Sequence, residues 1–233
     1  MDSLQPLGIL ITGAGAPGIA GTLFALRRNP AQRKLRILGV DVSSHAVGRH
    51  LLDGFGILPY PEDNSYLEAL ASFCLREKLT LILPQTTREV AVLSTAKKEM
   101  NDLGIKVIVA DAEAVELSNN KYELMRVFEK LDLPVAPYRL TNSQDELRSA
   151  ATELGYPERP VAVKPPLSNG MRGFRVLTRK PLSRHDFLNC KPSGTETTLE
   201  ALLSMDLQGE KWPQLLVMEY LPGEEYSVDA FLG

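Results

Sequence analysis

Residues 160–177 read PVAVKPPLSNGMRGFRVL, and they decide how the second half of the chain folds. An apolar strand ends at Lys164, a loop of small residues with Gly170 and Gly173 follows, and a second apolar strand returns at once. A lysine at a strand end, beneath a loop rich in backbone N–H donors, suits the oxygens of a polyphosphate. Arg172 would add charge from the loop. The alternative is a surface hairpin with ordinary basic residues, which this stretch alone leaves open.

A second stretch, LLVMEYLPGEEYSVD at residues 215–229, has the composition of a nucleoside pocket. An apolar strand reaches Glu219 and passes through a Pro-Gly pair into a polar strand that carries further acids. A purine needs a backbone acceptor and a backbone donor, which Glu219 and Leu221 would supply, and apolar cover around them. A carboxylate farther along, at Glu225, could hold both ribose hydroxyls. Taken alone, the stretch could equally be a hairpin with solvated acids.

The first hundred residues alternate short apolar strands with amphipathic helices. The predicted strands are LGILIT, KLRILGVD, FGILPY, LTLILPQ and IKVIVA. This alternation indicates a parallel sheet covered on both faces, with right-handed crossovers, and therefore a Rossmann-like domain.

The first strand leads into ILITGAGAPGIAG, residues 9–21, in which Gly13, Gly15 and Gly18 spell G-x-G-x-x-G. Asp41 follows the second strand, where a dinucleotide fold places the acid that binds a ribose. A tight strand-to-helix turn needs small residues with or without a ligand, however, and Pro17 removes one N–H from the turn. An NAD(P)-dependent oxidoreductase is therefore one alternative, but we find no convincing proton donor for it.

The pattern changes near residue 115. A helix is expected after Ser118, and a second begins at Ser143 with Glu146 at the spacing of a capping box. Three strands follow, RPVAVKPP, GFRVLT and QLLVMEYL, and then EEYSVDAFLG. We therefore predict two domains, residues 1–116 and residues 117–233.

Composition narrows the classes of function. The 233 residues include 44% hydrophobic and 24% charged residues with a net charge of -3, so nothing indicates a nucleic-acid partner. The start of the chain lacks a signal pattern, and no apolar run approaches the roughly 20 residues that span a bilayer, so we expect a cytoplasmic protein without membrane contact. Cys74 and Cys190 are too far apart for a paired metal site, and we read both as incidental or buried thiols.

The two stretches, in this order and after the segment SNNKYELMRVFEKLDLPVAPY, resemble the ATP-grasp superfamily. The most similar members known to us are the large subunit of carbamoyl-phosphate synthase and related carboxylate–amine ligases. The resemblance implies an α/β chain in which a Rossmann-like domain precedes an incomplete α+β ATP-grasp domain. It also implies an ATP site made by Lys121, Lys164, Ser168, Gly170, Arg172, Gly173, Glu219, Tyr220, Leu221 and Glu225.

The same resemblance implies a role for each part of that site. Lys121 and Lys164 would approach the phosphates, and the loop from Ser168 to Gly173 would cover them. The segment from Glu219 to Leu221 would hold adenine, and Glu225 would hold the ribose. The first domain would help to hold the substrate, with Pro84 to Glu89 (PQTTRE) facing the same cleft.

The implied activity is an ATP-dependent ligase that forms an acyl phosphate from a carboxylate and passes the acyl group to an amine or ammonia. ATP and Mg²⁺ are the implied cofactors, and no protein nucleophile is required, so no catalytic residue is assigned. The family's magnesium ligands lie about a hundred residues beyond the ribose carboxylate, so no metal ligand is assigned here either.

The chain would then be an N-terminal fragment, inactive as a ligase by itself, or a second chain or copy would complete the site. A non-catalytic nucleotide-binding module is the remaining alternative.

Overall fold

A computed structural model describes residues 6–179, 194–205 and 210–226. The chain forms two compact units, Met1–Glu116 and Leu117–Gly233.

The first unit is a parallel sheet with helices on both faces. Its strands are β1 (Leu7–Thr12), β2 (Leu35–Asp41), β3 (Gly54–Ile57), β4 (Leu81–Pro84) and β5 (Lys106–Val107). They lie in the order β3-β2-β1-β4-β5, and each pair is parallel. The helices are α1 (Ile19–Arg27), α2 (Tyr66–Glu77), α3 (Thr87–Thr95) and α4 (Lys97–Asp102), and the next helix, α5 (Ala112–Asn119), contains the boundary between the two units.

Alternation along β1 explains why helices cover both faces of this sheet. Ile9 and Ile11 pack with Ile19 and Leu23 of α1 in one apolar cluster. Leu10, between them in sequence, belongs to another cluster with residues of α2 and α4. Successive side chains of a strand point to opposite faces, so an all-apolar strand requires cover on both sides. The predicted Rossmann-like layers are therefore present.

The second unit is a mixed sheet, one face of which packs in an apolar cluster with Leu147 and Leu199. Its elements are α6 (Lys121–Lys130), β6 (Tyr138–Thr141), α7 (Gln144–Glu153), β7 (Val161–Lys164), β8 (Arg175–Leu177), β9 (Glu196–Thr197), α8 (Leu199–Leu203) and β10 (Leu215–Glu219). The strand order is β6-β10-β7-β8-β9, and the first three pairs are antiparallel. The last pair, β8 with β9, is parallel.

Helix ends in this unit follow local side-chain chemistry. The Ser143 hydroxyl accepts from the Glu146 N–H, which confirms that cap, although the Glu146 carboxylate accepts from the N–H of Asn142. The helix expected after Ser118 begins later, because the side chain of Asn120 accepts from the N–H groups of Tyr122 and Glu123. An asparagine with extended backbone is as good an N-cap as a serine, so α6 begins at Lys121.

Candidate functional site

The second unit contains a cleft of about 670 Å³. Eight of the ten residues predicted for the ATP site line it, and these are Lys121, Lys164, Ser168, Gly170, Glu219, Tyr220, Leu221 and Glu225. Arg172 and Gly173 lie in the same loop but are not part of this lining. The structure thus brings both stretches of the sequence to one cavity, although their role in binding ATP stays a prediction.

Lys164 is placed in the cleft by the alternation of β7. Val161 and Val163 point into the apolar core of the unit, so Ala162 and Lys164 point to the opposite face. The Lys164 ammonium is half-buried, and burial, followed by the charge of Lys121, lowers its pKa. The sheet therefore places a partly desolvated ammonium group in the cleft.

Lys121 reaches the same cleft from the first turn of α6. Its ammonium donates to the backbone carbonyl of Ser168 at 2.5 Å and to the Ser168 hydroxyl at 3.2 Å. Burial lowers the pKa of this lysine as well. One charge thus comes from a helix and one from a strand, and both face the loop between β7 and β8.

Neither ammonium is neutralised by the protein in the part of the chain that the structure describes. The ion pairs among those residues include neither Lys121 nor Lys164. Two like charges in a partly dry cleft disfavour each other, as the lowered pKa of Lys164 reflects. An anion placed between them would relieve both the repulsion and the loss of hydration, so this end of the cleft is suited to phosphate oxygens.

The loop between β7 and β8 has an unusual backbone. Gly170, Met171 and Gly173 have φ values of 58°, 59° and 77°. Such values are costly for a side chain of ordinary size, by about 1–2 kcal/mol at Met171. The Arg172 guanidinium donates to the carbonyl and side-chain oxygens of Asn169, at 3.3 and 2.9 Å. In this conformation, Arg172 contacts its own loop and does not add its charge to the cleft lining.

The other end of the cleft is apolar. Ala162, Phe174, Val176 and Met218 line it next to the segment after β10. We did not predict these four residues from the sequence, but alternation could have identified three of them. In β7, β8 and β10 they alternate with the core residues of the same strands, so they share the face of Lys164.

The segment after β10 forms the edge of this apolar end. The Glu219 N–H donates to the carbonyl of Pro137 at 2.9 Å, so that donor is used within the protein. The Glu219 carboxylate lies 4.0 Å from the Arg159 guanidinium. Glu225 is exposed at the cleft, and residues 224–226 do not form the strand expected there. The rest of that predicted strand, with Asp229, lies outside the described residues.

The glycine turn of the first unit is bonded to its own aspartate. Gly13 adopts a φ of 61°, as a tight turn after β1 requires. The Gly15 N–H donates to the Asp41 carboxylate at 2.7 Å, and the Ser43 N–H donates to its other oxygen at 2.9 Å. A dinucleotide would need that glycine amide for phosphate and that carboxylate for ribose. The geometry therefore disfavours the oxidoreductase alternative.

A buried carboxyl group lies beside this turn. Glu89 of α3 is 6% exposed and accepts a hydrogen bond from the Thr86 hydroxyl at 2.7 Å. The hydroxyls of Thr12 and Tyr66 are buried next to it without a hydrogen bond of good geometry. Burial, with a smaller contribution from the charge of Asp41, raises the pKa of Glu89. Burial thus favours the protonated form of Glu89 more than water does.

No cluster of three or more His, Cys, Asp or Glu residues that could hold a metal occurs within residues 6–179, 194–205 and 210–226. Cys74 is a free buried thiol, and burial raises its pKa to about 12, which fits the expected incidental role. Cys190 lies outside the described residues. In the same ranges, no helix combines the length and the apolar character needed to cross a membrane.

Residues 9–108 match the family of PylC-like N-terminal domains. A formate-dependent phosphoribosylglycinamide formyltransferase from Paraburkholderia xenovorans is 29% identical over 174 residues, which are 72% of this chain and 38% of that enzyme. The chain thus spans about two fifths of the length of such curated relatives.

Two solved structures share the fold. An ADP complex of N5-carboxyaminoimidazole synthetase from Staphylococcus aureus has a TM-score of 0.60 at 13% identity, over 95% of this chain and 49% of that one. The biotin carboxylase domain of the Hydrogenobacter thermophilus 2-oxoglutarate carboxylase, in complex with MgADP, ADP and bicarbonate, has a TM-score of 0.58 at 17% identity, over 92% and 44%. The chain therefore shares the fold of a little under half of each of these structures.

Proposed function

We propose that the second unit binds ATP in its cleft and that the protein is an ATP-dependent ligase joining a carboxylate to an amine or ammonia through an acyl phosphate. One observation carries the proposal. Two lysine ammonium groups, which form no ion pair among the described residues, line a cleft of about 670 Å³ that is also lined by apolar side chains. That combination of charge and apolar surface fits a nucleoside polyphosphate.

Different residues of the cleft contact different parts of ATP. Lys164 and Lys121 bind phosphate oxygens, and the loop from Ser168 to Gly173 covers them with backbone N–H groups. The base lies on the apolar floor, with its polar edge toward the backbone between Glu219 and Leu221. Glu225 accepts from the ribose hydroxyls.

When bound, ATP supplies the phosphoryl group that activates the carboxylate. The protein contributes position and charge neutralisation to this reaction. Mg²⁺ is the implied metal partner, but we assign it no residue, because the described residues contain no cluster that could hold it.

The relatives support the reaction class and suggest first substrates. The formyltransferase relatives are formate-dependent, and the 2-oxoglutarate carboxylase domain was solved with bicarbonate. Formate and bicarbonate are therefore the first small carboxylates to test, with hydroxylamine as a trap for an acyl phosphate. The narrower resemblance to carbamoyl-phosphate synthase enters this proposal through the acyl-phosphate chemistry that it shares with the other ligases.

The decisive experiment compares ATP with adenosine in calorimetric titrations of the wild type and Lys164→Ala. The substitution removes one charge-assisted contact, worth about 1.5–3 kcal/mol, so ATP should bind at least roughly tenfold more weakly. Adenosine should bind equally well to both proteins, because its contacts are assigned elsewhere. Lys130→Ala is the matched control, since Lys130 ends the same helix that begins with Lys121 and does not line the cleft. Equal ATP affinities for wild type and Lys164→Ala would reject the phosphate site.

A further inference from the structure

The hydroxyl of Ser168 has a defined orientation. It donates to the carbonyl of Pro165 at 3.3 Å and accepts from the Lys121 ammonium at 3.2 Å. The Ser168 carbonyl accepts from the same ammonium at 2.5 Å. One residue therefore presents two oxygens to one charged nitrogen.

The position of Ser168 relative to α6 is also fixed through the backbone. The Lys121 N–H donates to the carbonyl of Pro166 at 3.0 Å, and Asn120 forms an antiparallel bridge with Leu167. These contacts join the first residue of the helix to the start of the loop, so the oxygens of Ser168 are held in place before any ligand arrives. The Asn120 side chain, which caps the helix, stabilises the same junction.

We infer that Ser168 is a positioning residue, which holds two of the three N–H donors of Lys121 and leaves the third for an anion in the cleft. An ammonium has three donors and can rotate about its bond to carbon. Two fixed acceptors remove that freedom, so a phosphate oxygen meets an oriented donor and less entropy is lost on binding. The inference deepens the proposed function and rests on it, since the anion in question is a phosphate of ATP.

The arrangement also joins the loop to the anion. In the proposed complex, the Lys121 ammonium contacts the ligand and also donates hydrogen bonds to Ser168, the first residue of the loop from Ser168 to Gly173. The ligand and the loop therefore contact the same cation. By contrast, Lys164 has no hydrogen bond to the loop among the described contacts and comes from the sheet. Ser168 should therefore act through Lys121 and leave the contribution of Lys164 unchanged.

A double-mutant cycle on ATP affinity tests this coupling. Ser168→Ala should weaken ATP roughly threefold to tenfold, as expected for one hydrogen bond to a charged group. Ser168→Thr keeps the hydroxyl and should stay within about twofold of the wild type by the same reasoning. In a Lys121→Met background, Ser168→Ala should have almost no further effect, since its partner is absent. The same loss in both backgrounds, or no loss in the wild type, would overturn the inference.

A ligand-free measurement separates this inference from the proposed function. The Ser168 hydroxyl favours the charged form of Lys121, so its removal should lower the pKa of that lysine further. An NMR titration of the lysine Cε resonances, with Lys121 identified by its loss in Lys121→Met, follows this pKa in Ser168→Ala and Ser168→Thr. A pKa that is identical in the wild type and Ser168→Ala contradicts the positioning role. If the pKa responds and the wild type binds no ATP, the proposed function fails while Ser168 still orients the ammonium.

Discussion

Replacing Glu89 with glutamine should stabilise the first unit at neutral and alkaline pH. Glu89 is 6% exposed, and its described neighbours are the hydroxyls of Thr12, Tyr66 and Thr86 and the carboxylate of Asp41. No described basic group is paired with it. Glutamine has almost the same shape, still accepts from Thr86 and carries no charge at any pH.

The direction of this change in stability follows from the raised pKa of Glu89. The folded protein holds the Glu89 proton more tightly than the unfolded chain, whose glutamate has an ordinary value near 4.5. Stability from this group is complete below that value and is lost as pH rises through the folded pKa. The loss is about 1.4 kcal/mol for each unit by which the folded pKa exceeds the unfolded one. The advantage of Glu89→Gln should therefore grow with pH, at up to about 1.4 kcal/mol per pH unit, and then level off.

Hydrogen exchange of the β1 and β4 amides, measured from pH 5 to pH 8 and corrected for intrinsic rates, reports the stability of this unit separately from the other one. Glu68→Gln is the control, because Glu68 is an exposed glutamate in α2. The gain in stability should be smaller in this control than in Glu89→Gln, since the side chain of Glu68 stays in contact with water. Parallel profiles for Glu89→Gln and the wild type would refute the argument, because the buried carboxyl would then titrate as in the unfolded chain.

Two further predictions concern the glycine turn. Gly13→Ala should lower the free energy of unfolding in urea by ~2 kcal/mol or more, since its Cβ would lie 2.6 Å from Thr86 Cγ2 at a φ of 61°. Gly104→Ala is the control: it has a φ of 78° but open space around its Cβ, so it should lower that free energy by only ~1 kcal/mol. A similar cost at both sites would contradict the close approach. NADH should show no saturable micromolar binding by fluorescence titration, because the Gly15 amide already donates to Asp41; binding at that level would revive the dinucleotide alternative.

The layers of the first unit could be predicted because its strands are uninterrupted apolar runs. Such strands are typical of a parallel sheet that helices cover on both faces. Other elements depended on long-range pairing or on backbone detail that residue type does not display. Tyr138–Thr141 forms β6 although it directly follows Pro137, and it does so because it pairs with β10 across a wide gap in sequence. The helical stretch after β4 divides at Ala96 into α3 and α4, and no glycine or proline marks that division in the sequence.

Some lining residues of the cleft could be predicted because their residue type itself indicates a binding chemistry. Lys164 and Gly170, which we predicted from their residue types to bind phosphate, do line the cleft, and their role there stays a prediction. The orientation of Arg172 was not predictable, since its contact with Asn169 depends on left-handed backbone within the loop. The hydrogen bond from the Gly15 N–H to Asp41 was not predictable either, since the G-x-G-x-x-G spacing does not show whether these groups bind each other or a ligand.

The place of β10 in the second sheet has a consequence for synthesis on the ribosome. β10 lies between β6 and β7, yet it is made last of the strands described, and Thr141 waits for a partner 74 residues later. At about 5–20 residues per second, that interval lasts roughly 4–15 s. β6 has an edge without its eventual neighbour throughout this interval, and β7 has one from the time residue 164 is made. Unpaired strand edges attract other chains. Until β10 is made and pairs with both strands, the nascent chain is therefore open to edge-to-edge association.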